Sequence, residues 1–265
     1  MLRFAALAPV ALVLPLLATP ATACGPDTDC VLGERTYRIS KSEGATGAFV
    51  FMHGWRGTAA GIMRNRALRD AAAKQGFALV APQSVGIDWS IPNAPRGQRF
   101  DEMPFFDALV DDLVENHGIR RDRVVAGGFS AGGMMTWNLA CERSATFAGF
   151  VPISGTYWGG PPGSCSGPVP NIVHIHGTKD ATVPFGGRAI ADTRQGDVAA
   201  SFAQMRARTR YRAAETLREG RLDCTGERDD GGKLLMLCLH GGGHDMPAEF
   251  ATFGLRVLRE LTPLE

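Results

Sequence analysis

Gly128-Phe129-Ser130-Ala131-Gly132 sets a serine between two glycines, each two residues away. An apolar run precedes this stretch and a helical pattern follows it. In that setting the glycines let a strand and a helix approach closely, and the serine hydroxyl is held out at the sheet edge. The helix N-terminus behind it favours developing negative charge. A glycine-rich turn with an incidental serine is the bland alternative, and the strand-turn-helix setting favours a nucleophile at Ser130.

A serine hydroxyl at its free pKa needs a base, and the base needs a third group to orient it. On a serine of this kind the chain order is Ser, then Asp or Glu, then His. His174, His176, His240 and His244 follow Ser130. His174 and His176 share one face of a strand and read as packed or hydrogen-bonded residues. No third ligand stands near the pair, so a metal site is not expected there. His240 ends the last strand. His244 follows Gly241-Gly242-Gly243 on a loop that can carry it over the sheet edge, so it is the expected base.

Asp180 lies just past a strand, at the carboxyl end where open α/β sheets place their sites. Asp192 and Asp197 fall in or before a helix, Asp223 beside a hairpin, and Asp245 next to the base itself. Asp180 is therefore the expected orienting acid. An oxyanion needs two backbone N–H donors. One is expected from Ala131, directly after the serine. The other is expected from Trp55, in the His53-Gly54-Trp55-Arg56-Gly57 loop after an early strand. His53 precedes Ser130 in the chain and reads as structural. No step of this chemistry calls for a metal or an organic cofactor.

The elements that must position these groups alternate along the chain. Strands are expected over residues 35–40, 48–52, 77–81, 124–128, 150–154, 172–176 and 234–240. Helices are expected over 59–75, 101–117, 132–142, 197–216 and 247–261. This alternation predicts an α/β fold, with a doubly wound, mostly parallel sheet and helices on both faces. Residues 155–170 are too few for a large helical lid. The site is thus expected to be open to bulky or polymeric substrates. Trp89, Tyr157 and Trp158 are candidates to line a subsite, with loop packing the equal alternative.

Of 265 residues, 45% are hydrophobic and 21% charged, with 28 Lys plus Arg against 27 Asp plus Glu. A net charge of +1 leaves no electrostatic footprint for nucleic acid. Residues 1–23 read as an export signal: Arg3, an apolar run from Phe4 broken by Pro9 and Pro15, and the small residues Ala21 and Ala23. A lipid anchor on Cys24 is the lesser reading, since Ala21 stands where Leu is usual. Residues 24–265 then form a single catalytic domain outside the cytoplasm, in the periplasm or the medium, with no transmembrane segment.

Six cysteines in an exported chain suggest disulfides. Cys224 and Cys238 flank the turn signal Asp229-Asp230-Gly231-Gly232 symmetrically and could face each other across a hairpin. Cys24–Cys30 would then close the N-terminal loop, leaving Cys141–Cys165.

Four stretches occur together in one order: His53-Gly54-Trp55; Gly127 to Gly133; His176-Gly177-Thr178-Lys179-Asp180 on to Pro184; and Gly241 to Pro247. In this the chain resembles α/β-hydrolase esterases, specifically the polyhydroxybutyrate depolymerase and feruloyl esterase group. The resemblance implies an α/β-hydrolase fold with Ser130, Asp180 and His244 as the triad, and it supports Cys141–Cys165. It implies a secreted serine esterase acting on hydroxyalkanoate or small acyl esters, with feruloyl or acetyl-xylan esters as the alternative. Met246 stands where many members carry Trp. A serine peptidase or a non-catalytic binding protein on the same fold are the rival classes. The intact order of Ser, Asp and His argues against the second.

Overall fold

Four consecutive strands of the chain are apolar on both faces, and that dictates where they lie. The computed structural model describes residues 24–212 and 215–261. In chain order its elements begin with β1 (Cys30–Leu32), β2 (Arg35–Ser40) and β3 (Gly47–Met52). Then come α1 (Ala59–Arg64), α2 (Arg66–Lys74), β4 (Phe77–Pro82), α3 (Met103–His117), β5 (Val124–Phe129) and α4 (Ala131–Glu142). β6 (Gly149–Ile153), β7 (Ile172–Gly177), β8 (Arg188–Ile190), β9 (Thr193–Gln195) and α5 (Val198–Arg206) follow. β10 (Glu215–Glu219), β11 (Leu222–Arg228), β12 (Leu234–His240) and α6 (Ala248–Leu261) complete the chain.

Ten strands form one sheet in the order β1-β2-β4-β3-β5-β6-β7-β12-β11-β10. The six central strands, β4 to β12 in that order, run parallel, and an antiparallel pair is added at each edge. Every residue of β3, β4, β6 and β7 is buried. Such strands need cover on both faces. Alternate residues of β3 provide it: Val50 and Met52 join a core with α3, α4 and α5, while Phe49 and Phe51 join one with α1, α2 and α6. The edge strand β10, Glu-Thr-Leu-Arg-Glu, is exposed along its length. Its charges discourage pairing with another chain. No helix among the described residues is long and apolar enough to cross a membrane. The expected export signal, residues 1–23, lies outside the described residues.

The α/β-hydrolase architecture is as expected, and the differences are local. The expected helix over 59–75 is two helices. Asn65 caps both, its N–H donating to Ile62 O of α1 and its Oδ1 accepting from Leu68 N of α2. The helix expected over 197–216 stops at Arg206, and Glu215–Glu219 is strand instead. Pairing with β11 overrides the local helical pattern there. Gly220, at φ 56°, makes the tight turn between the two strands. The β8–β9 hairpin and β1 carry no alternating pattern long enough to announce them. Cys224 and Cys238 sit opposite each other in the β11–β12 register and are bonded. Cys24–Cys30 and Cys141–Cys165 are the other two disulfides.

Candidate active site

The order β4-β3-β5 means that β3 is followed to one side and β5 to the other, which opens a crevice at their carboxyl ends. Ser130 stands there, between β5 and α4, at φ 57° and ψ −118°. A non-glycine residue in this region carries roughly 1–3 kcal/mol of strain, which the surroundings must hold. They do so through Ser130 N–H donating to Ile153 O and Ser130 O accepting from Met134 N. The glycines on either side let three strand ends crowd the helix. A Cβ on Gly132 would fall 2.0 Å from Met52 O, and one on Gly133 would fall 2.6 Å from Ile153 O.

Asp180 and His244 arrive from the ends of β7 and β12, 64 residues apart in the chain, with Asp180 Oδ2 2.7 Å from His244 Nδ1. The other carboxylate oxygen accepts from Thr182 N at 2.9 Å and Val183 N at 2.8 Å. Burial by itself would raise the Asp180 carboxyl. The His244 hydrogen bond and the two backbone N–H groups outweigh it and hold the group below its usual range. Asp180 is therefore an anion that accepts from Nδ1–H and leaves Nε2 as the basic nitrogen. The His244 ring lies on the Phe129 ring, centroids 4.5 Å apart, beside Ser130 in the chain. Ser130 Oγ makes no hydrogen bond to a described residue. Serine–histidine bonds in ligand-free sites are often long and tighten on substrate binding.

Ser130 opens onto a cavity of about 450 Å³ that Trp55, Ala131 and Trp158 also line. The Trp55 N–H makes no backbone hydrogen bond among the described residues. The Ala131 N–H belongs to the first turn of α4, where no intrahelical acceptor exists. The Trp55 loop is built to sit here. Gly57 N–H closes a turn on Gly54 O at 2.9 Å, with Arg56 at φ 59°. His53 Nδ1 lies 2.8 Å from Gly54 O, its Nε2 accepts from Ser84 N, and its own carbonyl accepts from the Trp89 indole at 2.9 Å. His53 is thus used up in holding the loop.

The aromatic candidates separate. Trp158 lines the serine's cavity. Trp89 shows an edge to it but is buried against His53 and Phe106. Tyr157 is not brought to it: its ring packs on Trp137 and its hydroxyl donates to Trp137 O. The β8–β9 hairpin supplies Arg188, Ile190 and Gln195 to the cavity wall, a contribution that nothing in the local pattern of residues 182–197 signals.

Behind Asp180 the H-x-H pair forms a directed chain of hydrogen bonds. The Trp137 indole donates to His174 Nδ1 at 3.3 Å, His174 Nε2 meets His176 Nδ1 at 3.0 Å, and His176 Nε2 meets Val183 O at 2.8 Å. An indole N–H only donates and a carbonyl only accepts, so both imidazoles carry their proton on Nε2. All four ring nitrogens are thereby occupied, and none is free for a metal. Burial pushes both histidines below their usual pKa, His174 furthest; neighbouring His176 lowers His174 further, and His244 and His240 lower His176. Burial lowers His53 and His240 as well.

A depressed histidine is neutral in the folded protein and protonated in the unfolded chain below its ordinary pKa. Acid therefore favours unfolding, by at most about 1.4 kcal/mol per pH unit for a group such as fully buried His174. The urea midpoint should fall steadily from pH 6.5 to pH 5. Asp180, lowered instead, loses its contribution only at more acid pH. A midpoint unchanged across that interval would contradict the neutral assignment.

Comparison with known proteins follows the same lines. The phospholipase/carboxylesterase family model matches residues 88–195. The protein named as an esterase, NocK, from Nocardia uniformis subsp. tsuyamanensis is 30% identical over 246 residues, spanning 80% of this chain and 71% of its own. The chain belongs to the phospholipase/carboxylesterase family. It is also similar to feruloyl esterase C of Emericella nidulans, 32% identical over 126 residues, 46% of this chain and 43% of that one. Among solved structures, the acetyl xylan esterase from Aspergillus awamori superimposes with a TM-score of 0.60 at 16% identity. That match covers 88% of this chain and 96% of the other, a likeness of fold.

Proposed function

We propose that this family member is an exported serine esterase that cleaves carboxylic esters through an acyl-enzyme. The observation that carries the reading is Ser130, held strained at the mouth of a mostly apolar cavity, together with the His244 imidazole hydrogen-bonded to buried Asp180. Ser130 Oγ attacks the ester carbonyl while His244 Nε2 takes its proton. Asp180 orients the imidazole and stabilises its positive charge. The Trp55 and Ala131 N–H groups receive the oxyanion. His244 then returns the proton to the departing alcohol. Water, deprotonated by His244, attacks the acyl carbon, releases the acid and restores Ser130.

Feruloyl and acetyl-xylan esters are the substrates that the named relatives favour. Hydroxyalkanoate esters rest on the motif resemblance alone. Disulfides at all six cysteines suit a chain that folds in an oxidising compartment. The test is hydrolysis of methyl ferulate, acetylated xylan, soluble 3-hydroxybutyrate oligomers and 4-nitrophenyl butyrate side by side, with Ser130→Ala as the blank. Highest kcat/KM on ferulate or acetyl-xylan is the expected result. Preference for the oligomers would replace that substrate class, and no serine-dependent turnover on any ester would end the esterase reading.

A further inference from the structure

The serine's cavity has an uneven wall. Most of it is apolar, with Trp55, Ile91, Met134, Trp158, Val183 and Ile190. Two arginines join it, Arg96 from the loop before α3 and Arg188 from β8, with Asp88 as the one carboxylate. Asp88 is already engaged: Arg99 binds it at 2.8 Å and Arg96 stands 4.0 Å away. Arg188 has no carboxylate partner among the described residues. Its Nε donates to Gln195 Oε1 at 3.1 Å, directly across the β8–β9 register. Gln195 is itself 5% exposed, tied to Trp158 by a β-bridge. A buried amide thus orients the guanidinium, and neither Nη group makes a hydrogen bond among the described residues. A planar fork of this kind matches a carboxylate.

We propose that Arg188 is a specificity residue that binds a carboxylate carried by the ester substrate, away from the scissile bond. The site therefore takes anionic esters, such as the half-esters of dicarboxylic acids or esters of hydroxy acids, in preference to neutral ones. The proposal rests on the esterase reading. The apolar wall accepts the chain between the two groups, Ser130 acts on the ester at one end, and Arg188 with Arg96 neutralises the charge at the other. Because both guanidiniums are exposed, the effect weakens with salt.

The test compares matched esters. On the acyl side, 4-nitrophenyl hydrogen adipate is set against 4-nitrophenyl hexanoate. On the alcohol side, 4-carboxyphenyl butyrate is set against phenyl butyrate. The wild-type enzyme should favour the anionic member of at least one pair by roughly tenfold in kcat/KM at low salt. Arg188→Gln should erase that ratio, mainly through KM, and Arg188→Lys should restore part of it. Arg218→Gln, which removes the same charge from exposed β10, should leave the ratio as it is. Binding to Ser130→Ala keeps the two readings apart: monomethyl adipate should bind it more tightly than methyl hexanoate, and Arg188→Gln should remove the difference. Ester turnover with a ratio near one, or a ratio unmoved by Arg188→Gln, overturns the proposal. Selective binding without serine-dependent turnover would keep the anion site and overturn the esterase.

Discussion

Ser130→Ala should lower kcat by roughly 10⁴- to 10⁶-fold, to the level that binding and the oxyanion donors supply without a nucleophile. Loss of the hydroxyl removes the atom that forms the acyl-enzyme, and His244, held by Asp180, is left with no nucleophile to activate. The folded state should hardly change. Ser130 Oγ has no hydrogen bond to lose, and alanine keeps the Cβ and therefore the same backbone strain at φ 57°. A melting temperature within a degree or two of wild type, together with absent labelling by a fluorophosphonate, is the expected pattern. Ester hydrolysis retained within tenfold would show that another group attacks.

The second large effect is on stability. Gly132→Ala should cost roughly 3 kcal/mol or more, at the upper end of what overpacking a core does. The reason is backbone rather than side chain. The new Cβ would lie 2.0 Å from Met52 O and 2.8 Å from His53 O, neither of which can rotate away. α4 would have to lift off the end of β3, carrying Ser130 and the Ala131 N–H with it, so activity should fall together with the urea midpoint. Gly163→Ala is the control, since nothing lies within 4 Å of its Cβ position and its φ is not positive. Equal midpoints for the two variants would show that the helix can move aside without cost.

Both predictions concern the part of the molecule that was most legible in the residues alone. A glycine two positions either side of a serine, between an apolar run and a helical pattern, describes a turn whose geometry is set within about ten residues. Ser130 is where that reading puts it. The histidine and the acid are less local. The order of Ser130, Asp180 and His244 along the chain restricts the choice, but nothing near Asp180 encodes its contact with His244. Their meeting depends on β7 and β12 lying side by side, with Leu239 opposite His176 and His240 opposite Gly177.

The misread segments share one cause. Residues 207–216 carry a helical composition, yet β11 offers Glu215–Glu219 an unpaired edge, and the ladder outweighs propensity. Asn65 is an ordinary surface residue in a helical pattern until its side chain caps a second helix. For Tyr157 the residues left a subsite role and loop packing equally open, and Trp137 decides for packing by taking both its ring and its hydroxyl.

The sequence by itself therefore determined the class of sheet, since strands apolar on every residue must be covered on both faces, and it determined the elbow serine, since that turn is made by neighbours in the chain. Tertiary structure alone decided which acid and which histidine share a proton, how His174 and His176 are spent behind them, and that Arg188 faces the substrate cavity with neither Nη group hydrogen-bonded to a described residue. Those outcomes depend on contacts between segments tens of residues apart, and no local periodicity carries that information.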